Sequence, residues 1–150
     1  MRYADLLLMA AEAWNEAEET PNEKVYDYLD QVRERAGLEG IKETYAKYAS
    51  AQYKDYPSHK SQMRDIIHRE RQVELSCEGS YYWDTRRWKT AEKELNCIVQ
   101  GWNVLNGETA EDYYIPTNIY NQQFTLRDYF APIPDGDIIR NPQLVQNPWW

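Results

Sequence analysis

Phenylalanine is nearly absent from this sequence, with two residues against thirteen tyrosines and six tryptophans. Rings with a polar tip suit half-wet surfaces as well as cores, so this content excludes neither packing nor binding. Cysteine is scarce too. Cys77 and Cys97 form neither a CxxC metal pair nor a disulfide framework. Cys77 falls on the apolar stripe of its helix, where a free thiol packs as a small hydrophobe, so a buried thiol is expected rather than a bridge. No apolar run approaches the roughly 20 residues of a membrane span. Basic charge is short: 17 Lys and Arg face 25 Asp and Glu, for a net charge of -8. That balance excludes a nucleic-acid partner, which wants a basic stripe.

Catalytic and metal signatures are also missing. There is no GxSxG, P-loop or GxGxxG, and no Ser, His and Asp in a nucleophilic context. His59 and His68 belong to no HExxH and read as surface or capping residues. Asp135-Gly136-Asp137 hints at calcium, yet Ile139 and Gln146 sit where an EF-hand loop needs ligands, so it reads as a turn. No metal and no cofactor is expected. No signal peptide opens the chain, and Met1 leads straight into a helical pattern. The expectation is either a cytoplasmic protein or an excised piece of a longer one.

What is present is helical periodicity. Tyr3, Leu6, Leu7, Ala10, Ala13, Trp14 and Ala17 recur at i, i+3 and i+4, predicting a helix over 3–18. Thr20, Pro21 and Glu23 then spell a capping box with proline at the first helical position. Val25, Tyr28, Leu29, Val32 and Ala36 form the second stripe, and Gly37 supplies its left-handed end. The pair matches one tetratricopeptide unit in length, and such a unit needs neighbours to bury its faces. Residues 38–57 read as a short helix followed by a tyrosine-rich loop.

Ser58 or Ser61 is the expected cap of a helix through Met63, Ile66, Ile67, Val73 and Cys77 to Gly79. Ser80 is expected to cap another through Trp83, Arg87 and Ala91. Beyond Asn96 the period weakens and Gly and Pro punctuate the chain. Val104-Leu105-Asn106-Gly107 predicts one arm of a small hairpin, and Asp137 the cap of a turn over 138–141. The expected fold is all-α: tetratricopeptide-like helical hairpins with a long, mostly irregular C-terminal loop region. A helical body spans 1–95 and a loop-rich tail 96–150.

Glu70 and Glu74 lie four apart on one helix face with Ile66, Ile67 and Cys77. Paired carboxylates occur in glycosidases. Here Arg33, Arg35, Arg69, Arg71, Arg86 and Arg87 stand ready as partners, and an unpaired buried charge is costly. A carboxylate beside a guanidinium stays ionised, whereas a general acid must carry a proton. A structural ion network of Glu70, Glu74, Asp84, Arg71 and Arg87 is therefore expected in place of catalytic residues.

The order of motifs is specific. Glu70-Arg71, Glu74-Leu75 and Glu78-Gly79 precede Trp83-Asp84 and Arg87-Trp88. Upstream stand Arg2-Tyr3-Ala4-Asp5 and the run Val32 to Leu38. Downstream stand Pro132-Ile133-Pro134, Asn141-Pro142 and Gln146-Asn147-Pro148. Together they resemble the C-terminal region of the SusD/RagB family of nutrient-binding lipoproteins. Tyr81-Tyr82 departs from the family where a basic residue often lies, and Trp149 stands where glycine usually follows the last Asn-Pro.

The resemblance implies a fragment of a protein several hundred residues long. That protein would capture an oligosaccharide, or in some relatives a peptide, without chemistry. It would deliver the ligand to a SusC-like TonB-dependent transporter. It implies the extracellular face of the outer membrane, with a lipid anchor on a preceding N-terminal segment. That missing part would also carry further repeats and much of the glycan pocket. The alternatives are a helical-repeat module that binds protein, and a carbohydrate-active enzyme using Glu70 and Glu74.

Within this chain, Trp102, Asn103, Tyr113 and Tyr114 are the candidate ligand-binding residues. They lie in the irregular region, where functional loops concentrate. Aromatic planes stack on the C–H faces of sugars, and the amides of Asn103 and Asn106 can read hydroxyl groups. The competing expectation is that these rings only pin the loop to the helical body.

Overall fold

A computed structural model describes residues 2–105 and 107–150 of the chain. It is mostly helical, with one two-stranded sheet. The chain forms two compact units, the first ending at Tyr81 and the second running from Tyr82 to Trp150. This division precedes the change from helical body to loop-rich tail expected at residue 95.

Unit one holds α1 (Tyr3–Ala17), α2 (Glu23–Arg35), α3 (Ile41–Tyr48) and α4 (Lys60–Glu74). Two short 3-10 turns, Ala51–Tyr53 and Tyr56–Ser58, join the last two. α1 packs on both α2 and α4. The core joins Leu7, Leu8 and Ala11 to Val25, Tyr26, Leu29 and Val32, and to Ile41, Met63, Ile66 and Ile67. The buried row of α1 is rotated from the one expected. Tyr3, Leu6, Ala13 and Ala17 are exposed, while Ala4 and Asn15 are buried. A helix facing two partners buries the row between them, and Asn15 there donates its amide to the Lys60 carbonyl at 3.1 Å.

α2 starts later than the capping box predicted. Asn22, not Thr20, is the cap; its Oδ1 accepts from Lys24 N at 3.1 Å and Val25 N at 3.3 Å. A short side-chain carbonyl satisfies two otherwise orphan amides, which outweighs the Thr20 alternative. The end is as expected: Gly37 has φ 76°. Gly37 N donates to Glu34 O at 2.9 Å and Leu38 N to Arg33 O at 3.0 Å, a Schellman closure.

α4 is preceded by His59, with no side-chain cap, so neither Ser58 nor Ser61 caps it. It stops at Glu74, short of Gly79. Leu75 is buried, but Val73 is exposed and Cys77 sits in the following turn at φ 63°. Cys77 is therefore an exposed thiol and not a packed one; Cys97 is likewise free and exposed. The stripe failed because the helix ends before it reaches Cys77.

Unit two contains α5 (Ser80–Arg87, entering from the end of unit one), α6 (Ala91–Leu95), β1 (Ile98–Trp102), α7 (Ala110–Tyr113), β2 (Pro116–Asn121) and α8 (Asp135–Arg140). The helix expected from Ser80 to Ala91 breaks at Lys89, φ 58°, and restarts at Ala91. β1 and β2 pair antiparallel, Gly101 opposite Thr117 and Trp102 opposite Pro116, with a register shift between Val99 and Gln100. The predicted hairpin arm at Val104–Gly107 belongs instead to the connection between these strands. Asn106 lies outside the described residues. α8 begins two residues before Asp137, so Asp135 and Asp137 occupy its first turn.

Candidate ligand-binding site

The β1–β2 connection gathers the four residues named from sequence. Strand pairing places Trp102 at the end of β1 against Pro116. The loop closes when Asn103 N donates to Tyr113 O at 3.1 Å. Thr109 caps α7: its Oγ1 accepts from Asp112 N at 3.2 Å and donates to Asp112 Oδ2 at 2.7 Å. This short helix delivers Tyr113 and Tyr114 beside the strand end. Gly107 permits the closure, since a Cβ there would lie 2.7 Å from Asn103 O.

Trp102 and Tyr114 meet edge to face with centroids 5.5 Å apart, and Tyr113 meets Tyr114 at 5.1 Å. Trp102 is 51% exposed and Tyr114 62%, while Tyr113 is half-buried. Tyr113 thus anchors the loop, and the other two rings present open faces. A groove of about 310 Å³ runs over Gln100, Gly101, Trp102 and Pro116. Asn103 Nδ2 donates to Asp112 O at 3.3 Å, so part of its amide serves the loop itself. Edge-to-face contacts fix the rings, and fixed rings lose little entropy on stacking.

The charged residues named from sequence divide among several ion clusters. Glu70 pairs with Arg33, which also donates to Glu39 O at 2.9 Å and Thr44 Oγ1 at 2.9 Å. Glu74 accepts from Arg2 at 3.0 Å and from Arg35 at 2.7 Å and 2.8 Å. Arg71 lies 2.7 Å from Asp5, and Arg87 bonds Asp84 at 2.8 Å within unit two. Asp5 and Arg2 were missed as partners. They lie some seventy residues from theirs in the chain, a pairing only the packing of α1 on α4 produces. Among the described residues, no group of three or more His, Cys, Asp or Glu is placed to hold a metal.

The SusD family profile matches residues 1–150. A SusD-like protein P2 from Formosa agariphila is 31% identical over 147 residues, 98% of this chain and 24% of that protein. Among solved structures, BT4246 has a TM-score of 0.78 at 29% identity, covering 100% of this chain and 23% of its own. A SusD-like carbohydrate binding protein from Bacteroides fragilis has a TM-score of 0.69 at 25% identity, covering 95% and 27% respectively. The chain spans about a quarter of the length of these relatives.

Proposed function

Because this chain belongs to the SusD family, we propose that it is part of a cell-surface protein that captures oligosaccharides without chemistry. It hands them to a SusC-like TonB-dependent transporter at the outer membrane. The protein is held on the extracellular face by a lipid anchor on a preceding segment. The observation that carries the reading is the pair of open, mutually braced rings, Trp102 and Tyr114, of which Trp102 walls a groove at the sheet end. The name of the Bacteroides fragilis relative, a carbohydrate binding protein, supports it.

Trp102 and Tyr114 stack on the apolar faces of a sugar, Tyr113 holds the loop, and Asn103 offers an amide to a hydroxyl. Glu70 and Glu74 serve the fold in this reading. Each carboxylate is engaged by guanidinium groups, and neither lines the groove at Trp102. Asp84 with Arg87, and Arg71 with Asp5, play the same structural part.

Calorimetric titration of the full protein against a panel of oligosaccharides, paired with thermal melts, tests the site. Trp102→Ala is expected to weaken binding at least tenfold with a stability change within about 0.5 kcal/mol, as for an exposed side chain. A loss of about 3–5 kcal/mol instead identifies a core anchor and rejects the site. Glycosidase activity that disappears in Glu70→Gln would establish the enzyme alternative.

A further inference from the structure

A second concavity in unit two is used by neither the groove at Trp102 nor the ion pairs. It encloses about 490 Å³ and is lined by Arg86, Lys89, Tyr129, Phe130 and Trp149, with Glu92 also on its wall. Three observations converge on it. Lys89 and Trp149 both hold left-handed backbone, at φ 58° and 68°. They are two of the three non-glycine residues in that region among those described. Lys89 closes the end of α5, where Thr90 N donates to Thr85 O at 2.9 Å, a position that ordinarily takes glycine. Residues kept in this conformation against their steric preference mark functional places.

The second observation is the state of Arg86. Its Cζ lies 3.5 Å from the Tyr82 ring centroid and 5.0 Å from that of Phe124. Its Nη1 donates to Tyr82 O at 2.9 Å, while its buried Nε has no hydrogen-bond partner. Rings and a carbonyl make the direct contacts to this cation, and the Asp128 carboxylate acts on it through charge alone. Asp128 is occupied by Thr125, whose N and Oγ1 donate to its Oδ2 at 2.7 Å and 2.8 Å. The third observation is an open aromatic wall. Trp149 is 62% exposed and Phe130 44%, with centroids 6.1 Å apart. Trp150 pins this segment by donating Nε1 to Phe130 O at 2.9 Å.

We propose that this pocket is a separate saccharide subsite selective for an anionic sugar. The ring lies against Trp149 and Phe130, and its acidic group, carboxylate or sulfate, meets Arg86 and Lys89. Glu92 is placed to accept a sugar hydroxyl. The proposal rests on the saccharide-binding reading and adds the ligand's charge. Two exposed ring faces, tilted 39° to each other, favour the C–H face of a pyranose over an extended peptide, which would need a strand edge or side-chain pockets.

The test is calorimetric titration of the full protein with oligogalacturonate, its fully methyl-esterified form and a sulfated galactan oligosaccharide. At least one acidic ligand is expected to bind tenfold or more tighter than the neutral ester, with affinity falling as salt rises. The two acidic arms separate carboxylate from sulfate recognition. Lys89→Gly and Trp149→Gly are each expected to weaken that binding at least tenfold. Neither should lower the melting temperature, because glycine suits both backbones. Equal binding of acid and ester, or acid binding unchanged in both variants, overturns the proposal. So does full competition by poly-glutamate, which would indicate an acidic peptide. If neutral saccharide binds through Trp102 and no acidic one binds, only this proposal fails. If nothing in the panel binds, it falls together with the saccharide reading.

Discussion

Unit one and unit two bury different things. Unit one seals a continuous, mostly aliphatic core that includes Tyr26 between α1, α2 and α4, and packs Trp14, Tyr28, Tyr45 and Tyr56 against it. In unit two, Ala91 and Phe124 are the buried apolar residues among those described, while Trp83, Trp102, Tyr114, Tyr120 and Trp149 face solvent. Side chain to backbone bonds hold it instead. Asn96 Oδ1 accepts from Phe124 N at 2.6 Å, and Gln146 brackets Ile133, accepting from its N at 2.8 Å and donating to its O at 2.9 Å. The lesson is a division of labour. A unit whose loops are clamped by amides can hold its fold with few buried rings, whereas unit one draws Tyr26 into its core and exposes others such as Tyr3 and Tyr48.

Breaking that contrast begins with the largest expected effect. Glu70→Ala leaves the Arg33 guanidinium, 7% exposed, without its carboxylate. It should cost about 3–5 kcal/mol in denaturant melts. Glu74→Ala should cost less, because its partners Arg2 and Arg35 have side chains 40% and 60% exposed. Equal costs for the two would show that burial of the partner does not set the scale.

Leu29→Ala opens the fully buried centre of unit one. About 2–5 kcal/mol is expected, the range for leucine truncation in a core. A change below about 1 kcal/mol would mean the core collapses around the gap. In unit two, Gln146→Ala removes the bracket on Ile133 and should cost about 0.5–1.5 kcal/mol per bond lost. Hydrogen exchange should speed at Ile133 N while the core amides of α2 stay protected. Uniform exchange across both units would erase the distinction between them.

The smallest effect lies on the surface. Arg64 bonds Glu16 at 2.6 Å and holds its carboxyl below the usual carboxylate value. A depressed carboxylate stabilises the fold above its unfolded value, and that contribution disappears as pH falls through the folded one. Both side chains are about 40% exposed, so the pair is worth under about 1 kcal/mol. Glu16→Gln should therefore lower stability at neutral pH by under about 1 kcal/mol and leave it unchanged at low pH, so that melts across pH show a slightly flatter acid limb.

The helical periods were legible from sequence because an amphipathic stripe repeats whatever it packs against. Gly37 was legible as a helix end because only a residue without Cβ takes φ 76° freely. Legibility failed where a residue's role depends on a remote partner. Tyr3 and Leu6 fit the stripe, but the second neighbour of α1 turned it onto Ala4, Leu8 and Asn15, with Leu7 kept in the core. Cys77 fitted too, until α4 ended at Glu74. Asn-Gly signalled a tight turn, but Asn103 and Thr109 close a longer loop around α7.

The sequence by itself determined the helical class and the motif order that marks the family, and it singled out Trp102, Asn103, Tyr113 and Tyr114 as candidates, since residue type and local spacing carry all of these. Tertiary structure alone decided which arginine meets which glutamate, which rings are anchored and which stay open, and that Lys89 and Trp149 share one pocket with Arg86. Those facts depend on distances between residues far apart in the chain, which packing sets and local periodicity cannot encode.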